Sequence, residues 1–233
     1  MHFREQSKKK AITFSYDDGT VQDVHLIELM NKYGLKGTFN LNSEQLGSHP
    51  IRAAKDGMRN CRYRLHPEDV RSVYEGHEIA AHTLTHPHLY DLDDAELIRQ
   101  IEQDRLNLSE LAGYEVVGLA YPFGDVDDRI ARIVQEHTGI KYARAVKNTP
   151  CFDVQSDLYR FAPNAHSFHH EVMMERARAF LEAETDKPQI LYIWGHAYEF
   201  DLSSDAWIKI EELFQLIGNR DDIFYGTNAE VLL

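Results

Sequence analysis

Cysteine is nearly missing, with two in 233 residues, Cys61 and Cys151. They stand far apart and outside any CxxC spacing, which excludes a zinc ribbon and a disulfide framework and leaves buried or idle thiols. Long apolar runs are missing too, since none approaches the roughly 20 residues that a bilayer-spanning helix needs. The opening "MHFREQSKKK" lacks the apolar stretch and small-residue cleavage site of a secretion signal. A cytoplasmic location is therefore expected, although a processed secreted chain would read the same way. Positive charge is scarce: 25 Lys and Arg face 38 Asp and Glu, for a net charge of −13. Nucleic acid and anionic membranes are bound by clustered Lys and Arg that release counterions, so neither is an expected partner. The one basic run, Lys8 to Lys10, is too short to change that and flanks the first strand as solvated charge. No repeat or Ser/Gly-rich linker interrupts the chain, which predicts one domain over residues 1–233.

What is present is ordinary for a globular core, 43% hydrophobic and 11% aromatic. Short apolar runs alternate with amphipathic ones. Strands are expected over 11–17, 37–42, 77–82, 115–122, 141–146, 159–165, 189–196 and 222–226. Helices are expected over 21–34, 67–76, 93–113, 127–138, 170–184 and 205–218. Seven or so strands alternating with helices imply parallel βαβ units, closed into a barrel or laid out as a doubly wound sheet. No glycine-rich phosphate loop follows the first strand, so the nucleotide-binding sheets lose support and an α/β barrel leads.

In such a barrel chemistry sits at the C-terminal ends of the strands, and polar residues gather there. "TFSYDDGT" (13–20) ends the first strand on Asp17 and Asp18. Adjacent carboxylates repel; a cation bound by one offsets the repulsion and leaves the other for proton transfer, with Gly19 giving the sharp turn. An Asx-type turn or helix N-cap is the plain alternative for a DDG sequence. Asn40 and Asn42 end the second strand. "GHEIAAHTLTHPHL" (76–89) sets His82 and His86 four residues apart, able to share one face of a turn and grip one ion. A histidine-rich surface turn is the alternative. His77 and His88 are weaker candidates, because His77 begins the strand and Pro87 breaks the turn before His88. Together with the acid pair the histidines make a two-His, one-carboxylate set with open positions.

"TFSYDDG", "GHEIAAHTLTHPHL", "YPFG" and the late "LYIWGH" resemble, in order, the motifs of the polysaccharide deacetylase family, the NodB-homology domains of carbohydrate esterase family four. The resemblance spans residues 13–196. It implies a distorted (β/α) barrel of about seven strands and metal-dependent removal of acetyl groups from N-acetyl, in some members O-acetyl, sugars. Residue by residue it implies Asp17 as general base, Asp18, His82 and His86 as ligands of a divalent metal, His196 as general acid and the Phe123 backbone N–H as oxyanion donor. Zinc (Zn2+) is the expected metal, with iron, cobalt or nickel admitted by the same ligands. Asn42, Tyr121 and Trp194 are candidate substrate contacts, and Tyr198, His166 and His169 are weaker ones. His2, His25, His49, His66, His137 and His170 are expected to be solvated.

Two positions depart from the family pattern. Ala120 stands where an arginine usually pairs with the catalytic base, and no acid that would orient the catalytic histidine is recognisable in "LYRFAPNAH". Arg144 in "KYARAV" is the expected replacement for the arginine, since Ala143 and Ala145 leave it room to reach across the barrel, with Arg160 as competitor. "AYPFG", "YARAV" and "GHAYEFD" look similar to a subgroup with the deacetylase-like domain of gellan lyase. The expected partner is an acetylated carbohydrate. An allantoinase-like amidohydrolase acting on another small amide, and a catalytically silent carbohydrate-binding barrel, are the alternatives. Retention of the acid, base and ligand positions argues against the silent barrel.

Overall fold

The computed structural model describes residues 8–53 and 59–233, with 51–53 and 59–60 described by backbone alone. His2 lies outside the described residues. The strands in chain order are β1 (Lys10–Asp17), β2 (Gly37–Leu41), β3 (Ile51–Ala53), β4 (Arg59–Cys61), β5 (Glu78–Ala81), β6 (Gly118–Ala120), β7 (Tyr142–Arg144), β8 (Ala165–His166), β9 (Gln189–Gly195) and β10 (Ile223–Tyr225). The main sheet is parallel and runs β7-β6-β5-β2-β1-β9-β8. An eighth strand, β10, pairs the N-terminal part of β1 from Lys10 to Ile12, while β2 pairs its C-terminal part from Phe14 to Asp17. The sheet curls, and among the described residues one isolated bridge links Arg144 of β7 to Phe161 in the segment before β8, where Phe161 N–H donates to Ala143 O and Ala145 N–H to Phe161 O. A distorted (β/α) barrel results.

β1 shows why the sequence curls this way. All its residues after Lys10 are buried, as a parallel strand covered on both faces requires. Ile12, Phe14 and Tyr16 face the helices, with Phe14 meeting Phe214 edge-on at 5.3 Å between ring centres. Thr13, Ser15 and Asp17 alternate with them and face inward. The lumen is therefore polar and layered. At its base Thr13 Oγ1 donates to Asn228 Oδ1 at 2.8 Å, and Thr38 Oγ1 and Tyr142 OH donate to Glu78 at 2.7 and 2.9 Å. Gly118 is required there, since a Cβ at that position would lie 2.1 Å from the Tyr142 hydroxyl. A terminal helix, Asn228–Leu232, plugs this end, held by a Thr227–Glu230 capping box.

The long helix expected over 93–113 is Asp94–Ile98 and Asp104–Ala112 joined by a π-helical turn, Arg99–Gln103. The strand expected over 159–165 is not one: Leu158–Arg160 is a 3-10 turn capped by Asp157, and only Ala165–His166 pairs with β9. Pro163 has no N–H to give a ladder there. The helix expected over 67–76 reduces to a 3-10 turn, Pro67–Asp69, and one α-turn, Val70–Val73. The β3–β4 hairpin and the terminal helix were not expected from the sequence.

Candidate active site

Asp17 is the last residue of β1, and the chain then turns through two left-handed residues, Asp18 at φ 87° and Gly19 at φ 61°. A Cβ on Gly19 would lie 2.7 Å from Leu41 Cδ2, so the turn needs glycine for space as well as for conformation. Five described non-glycine residues have positive φ, and four of them, Asp18, Thr83, His86 and Phe123, belong to the segments around one cavity. Strain of ~1–3 kcal/mol per residue, gathered in one place, marks a site whose geometry the surrounding fold enforces. The cavity has a volume of about 390 Å³ and opens at the C-terminal ends of the strands.

The two acids live in different surroundings. Asp17 accepts from Arg144 Nη2 through both oxygens, at 2.6 and 2.5 Å, and from Asn40 Nδ2 at 2.8 Å. Burial would raise its pKa, but the Arg144 guanidinium, with His82 and His196, outweighs burial and holds the carboxyl below the usual range. Asp18 meets Arg64 Nη1 at 3.1 Å through Oδ1, and Arg64 also donates to the Asp18 carbonyl. Its Oδ1 is buried without a well-formed hydrogen bond, and Arg64 overrides burial to keep the carboxylate ionised.

His82 Nδ1 lies 2.7 Å from Ala120 O, which assigns the ring proton to Nδ1 and leaves the Nε2 lone pair for a ligand. The His82 N–H donates to Asp104 Oδ2 at 3.0 Å, and Asn42 Nδ2 clamps the carbonyls of His82 and Thr83 at 2.5 and 2.9 Å. The His86 ring lies 4.7 Å from that of His82, centre to centre. Burial pushes the His82 pKa down to about 4 and lowers that of His86, so both imidazoles are neutral, the form that ligates. One donor atom each from Asp18, His82 and His86 lie within 4.8 Å of one another. An ionised carboxylate whose Oδ1 makes no hydrogen bond, beside two neutral imidazoles, is a donor set that fits a divalent metal.

Across the cavity, His196 Nε2 faces Asp17 Oδ2 at 3.9 Å and its Nδ1 lies 3.3 Å from Glu199 Oε2. Burial alone would lower the His196 pKa, but Glu199, with Asp18 and Asp17 behind it, raises it. His166 Nε2 reaches the same Glu199 oxygen at 3.5 Å, while its Nδ1 accepts from Phe168 N–H at 3.2 Å.

The remaining expectations separate. Arg144 is wholly buried and lies directly beside Ala120 in the β6–β7 register, so the arginine occupies the neighbouring strand at the same level. Arg160 is at the surface with Asp157 and Asp128. Asn42 is 1% exposed and its amide N–H groups are spent on the histidine turn, while its Oδ1 is buried without a hydrogen-bond partner among the described residues. Tyr121 walls the cavity, but its hydroxyl donates to Tyr159 O. Trp194 lines the cavity under the Arg144 guanidinium, 4.6 Å away, and Phe123 is exposed beside His88. His88 pairs with Asp125, and His77 is buried against Gly37 N–H, so neither joins the cluster. His25, His49, His66, His137 and His169 are exposed, and His170 is half-buried against Glu212. Four site residues were not singled out from the sequence: Arg64, Arg62, Asp104 and Glu199. Only Glu199 carried a usable signal, the i, i+3 spacing from His196 on a turn.

The polysaccharide deacetylase family model matches residues 4–143, more than half of the chain, and the chain belongs to that family of carbohydrate deacetylases. The peptidoglycan-N-acetylmuramic acid deacetylase PdaC of Bacillus subtilis is 26% identical over 125 residues, 52% of this chain and 23% of that protein. The chain thus matches less than a quarter of that relative's length. A putative polysaccharide deacetylase from Mycobacterium smegmatis shares the fold with TM-score 0.65 at 17% identity, covering 97% of this chain and 89% of that one. The structure of PdaC gives TM-score 0.57 at 18% identity over 96% and 90%. A Bacillus anthracis carbohydrate esterase family four pseudoenzyme gives 0.59 at 15% over 97% and 66%.

Proposed function

We propose that this chain hydrolyses the acetyl group of an N-acetylated, or alternatively O-acetylated, sugar or oligosaccharide, with a divalent metal held by Asp18, His82 and His86. The observation that carries the reading is the division between the two adjacent acids. Asp17 is held ionised by Arg144, whereas Asp18 keeps a buried oxygen without a well-formed hydrogen bond beside two neutral imidazoles. A metal bound there supplies Lewis-acid polarisation of the acetyl carbonyl and lowers the pKa of water, with zinc suited to the mixed N/O donors and iron, cobalt or nickel also accepted.

Asp17 takes the proton of the attacking water, a role that needs an ionised carboxylate at neutral pH. The Phe123 N–H donates to the developing oxyanion. His196, its proton retained by Glu199, gives that proton to the leaving nitrogen, so the C–N bond breaks to acetate and a neutral amine. For an O-acetyl substrate the same proton goes to the leaving oxygen.

Asp17→Asn should keep stoichiometric metal and lose about 10²- to 10⁴-fold in acetate release, the usual contribution of a general base. Paired His82→Ala and His86→Ala should lose the metal. Metal retained by that double variant, or lost by Asp17→Asn and kept by Asp18→Asn, would overturn the assignment. The substrate panel is a set of N- and O-acetylated sugars with allantoin-like amides as controls. A metal-loaded chain releasing nothing from any of them would favour the silent barrel.

A further inference from the structure

Three arginines reach the site, and two of them are engaged by its acids: Arg144 by Asp17, and Arg64 by Asp18 and Gln45. Arg62 differs. It lines the cavity with no carboxylate partner among the described residues, and its Nε is buried without an acceptor. Its guanidinium lies 4.0 Å over the Tyr198 ring, a cation–π contact that fixes it in place while leaving its donors unused.

The backbone under it is equally fixed. Arg62 N–H donates to Pro50 O, Val21 N–H to Tyr63 O, and Arg64 N–H to Ser48 O. Gln22 Nε2 joins Cys61 O to Asp201, tying this stretch to the 3-10 turn Ala197–Leu202 that carries Tyr198. A guanidinium held on an aromatic face, lining the cavity with no carboxylate beside it, presents a planar fork that matches a carboxylate.

We propose that Arg62, seated on Tyr198, is an anion subsite and that the substrate is a carboxylate-bearing N-acetyl sugar. The inference rests on the deacetylase reading, because the acetamide must reach the metal ligands while the carboxylate reaches Arg62. The net charge of −13 sharpens it. A chain that repels anions at long range needs a fixed local cation to take an acidic substrate.

The test compares N-acetylmuramic acid with its methyl ester, which keeps the shape and removes the charge. Wild type should favour the acid in kcat/KM by about 10- to 100-fold, the range of a charge-assisted pair. Arg62→Met should bring that ratio to about one, and Arg62→Lys should restore part of it, which separates loss of the subsite from misfolding. Equal rates for the two compounds in wild type, or an unchanged ratio in Arg62→Met, would overturn the proposal. Calorimetry on the metal-loaded Asp17→Asn chain reads the same preference without turnover. Tighter binding of the acid, lost in Asp17→Asn/Arg62→Met, supports the subsite even where no acetate is released, an outcome that would sink the deacetylase reading alone. Equal binding, or none, sinks the subsite.

Discussion

Removing the Arg144 guanidinium would strand the Asp17 carboxylate in a site where both side chains are almost wholly buried. Breaking a buried pair from one side costs about 3–5 kcal/mol, so Arg144→Met should lower stability by that order in denaturant unfolding. The pH dependence follows from the depressed pKa of Asp17. Its stabilising contribution is present above the unfolded carboxyl value of about 3.9 and is lost as pH falls through the lower folded value. Without Arg144 the folded pKa rises, so the acidic limb of the pH–rate profile should move to higher pH. A wild-type acidic limb in the variant would show that Arg144 does not set the base. This pairing was legible because Ala120, Ala143 and Ala145 left both a need and a space. Arg64 and Arg62 were not, since they follow a pair of three-residue strands too short to give a periodic signal.

Elements explain which parts of the site could be read. The strand ends carrying Asp17, His82 and His196 stood out because strand period and chemistry coincide there. At Asn42 the sequence could not decide, because a polar strand-end residue looks alike whether it faces substrate or clamps the carbonyls of a left-handed turn, as its Nδ2 does. Glu199 was missed because it sits on the 3-10 turn Ala197–Leu202, past the last motif. That turn returns the carboxylate to His196 three residues later. Glu199→Gln removes the main partner that raises the His196 pKa against burial. The acid should then lose its proton earlier, moving the basic limb of the kcat profile to lower pH, with kcat falling more than KM changes. A basic limb at the wild-type position would mean that Glu199 only packs. The expected strand 159–165 failed for a different reason: its residues suit a strand, but Pro163 has no N–H to give, which leaves an isolated bridge at Phe161 and the short pairing of Ala165 and His166 with β9.

At the scale of the whole molecule, strand and helix alternation was enough to reach a parallel barrel, whereas the terminal plug was not, because five residues are too few for a periodic signal. Stability should carry the mark of buried acids, Asp23 foremost. Asp23 is wholly buried, with Tyr74 OH donating to it at 2.7 Å, and burial pushes its pKa up to about 8. A folded pKa above the unfolded value means that the fold binds the proton more tightly. The associated stability is full below about pH 4 and is lost as pH rises through about 8. Asp23→Asn should lessen this fall in Tm between those limits, with buried Asp104 still contributing, while an unchanged slope would show that Asp23 titrates normally.

The seam of the barrel has a consequence for how the protein fails. Among the described residues the one backbone bridge from β7 to the segment before β8 is centred on Arg144, whose side chain also grips Asp17. A barrel whose seam is so thinly laddered should open there first. Warming should therefore silence the protein before it melts it, with the proposed acetate release fading while far-ultraviolet circular dichroism still reports an intact set of helices and strands.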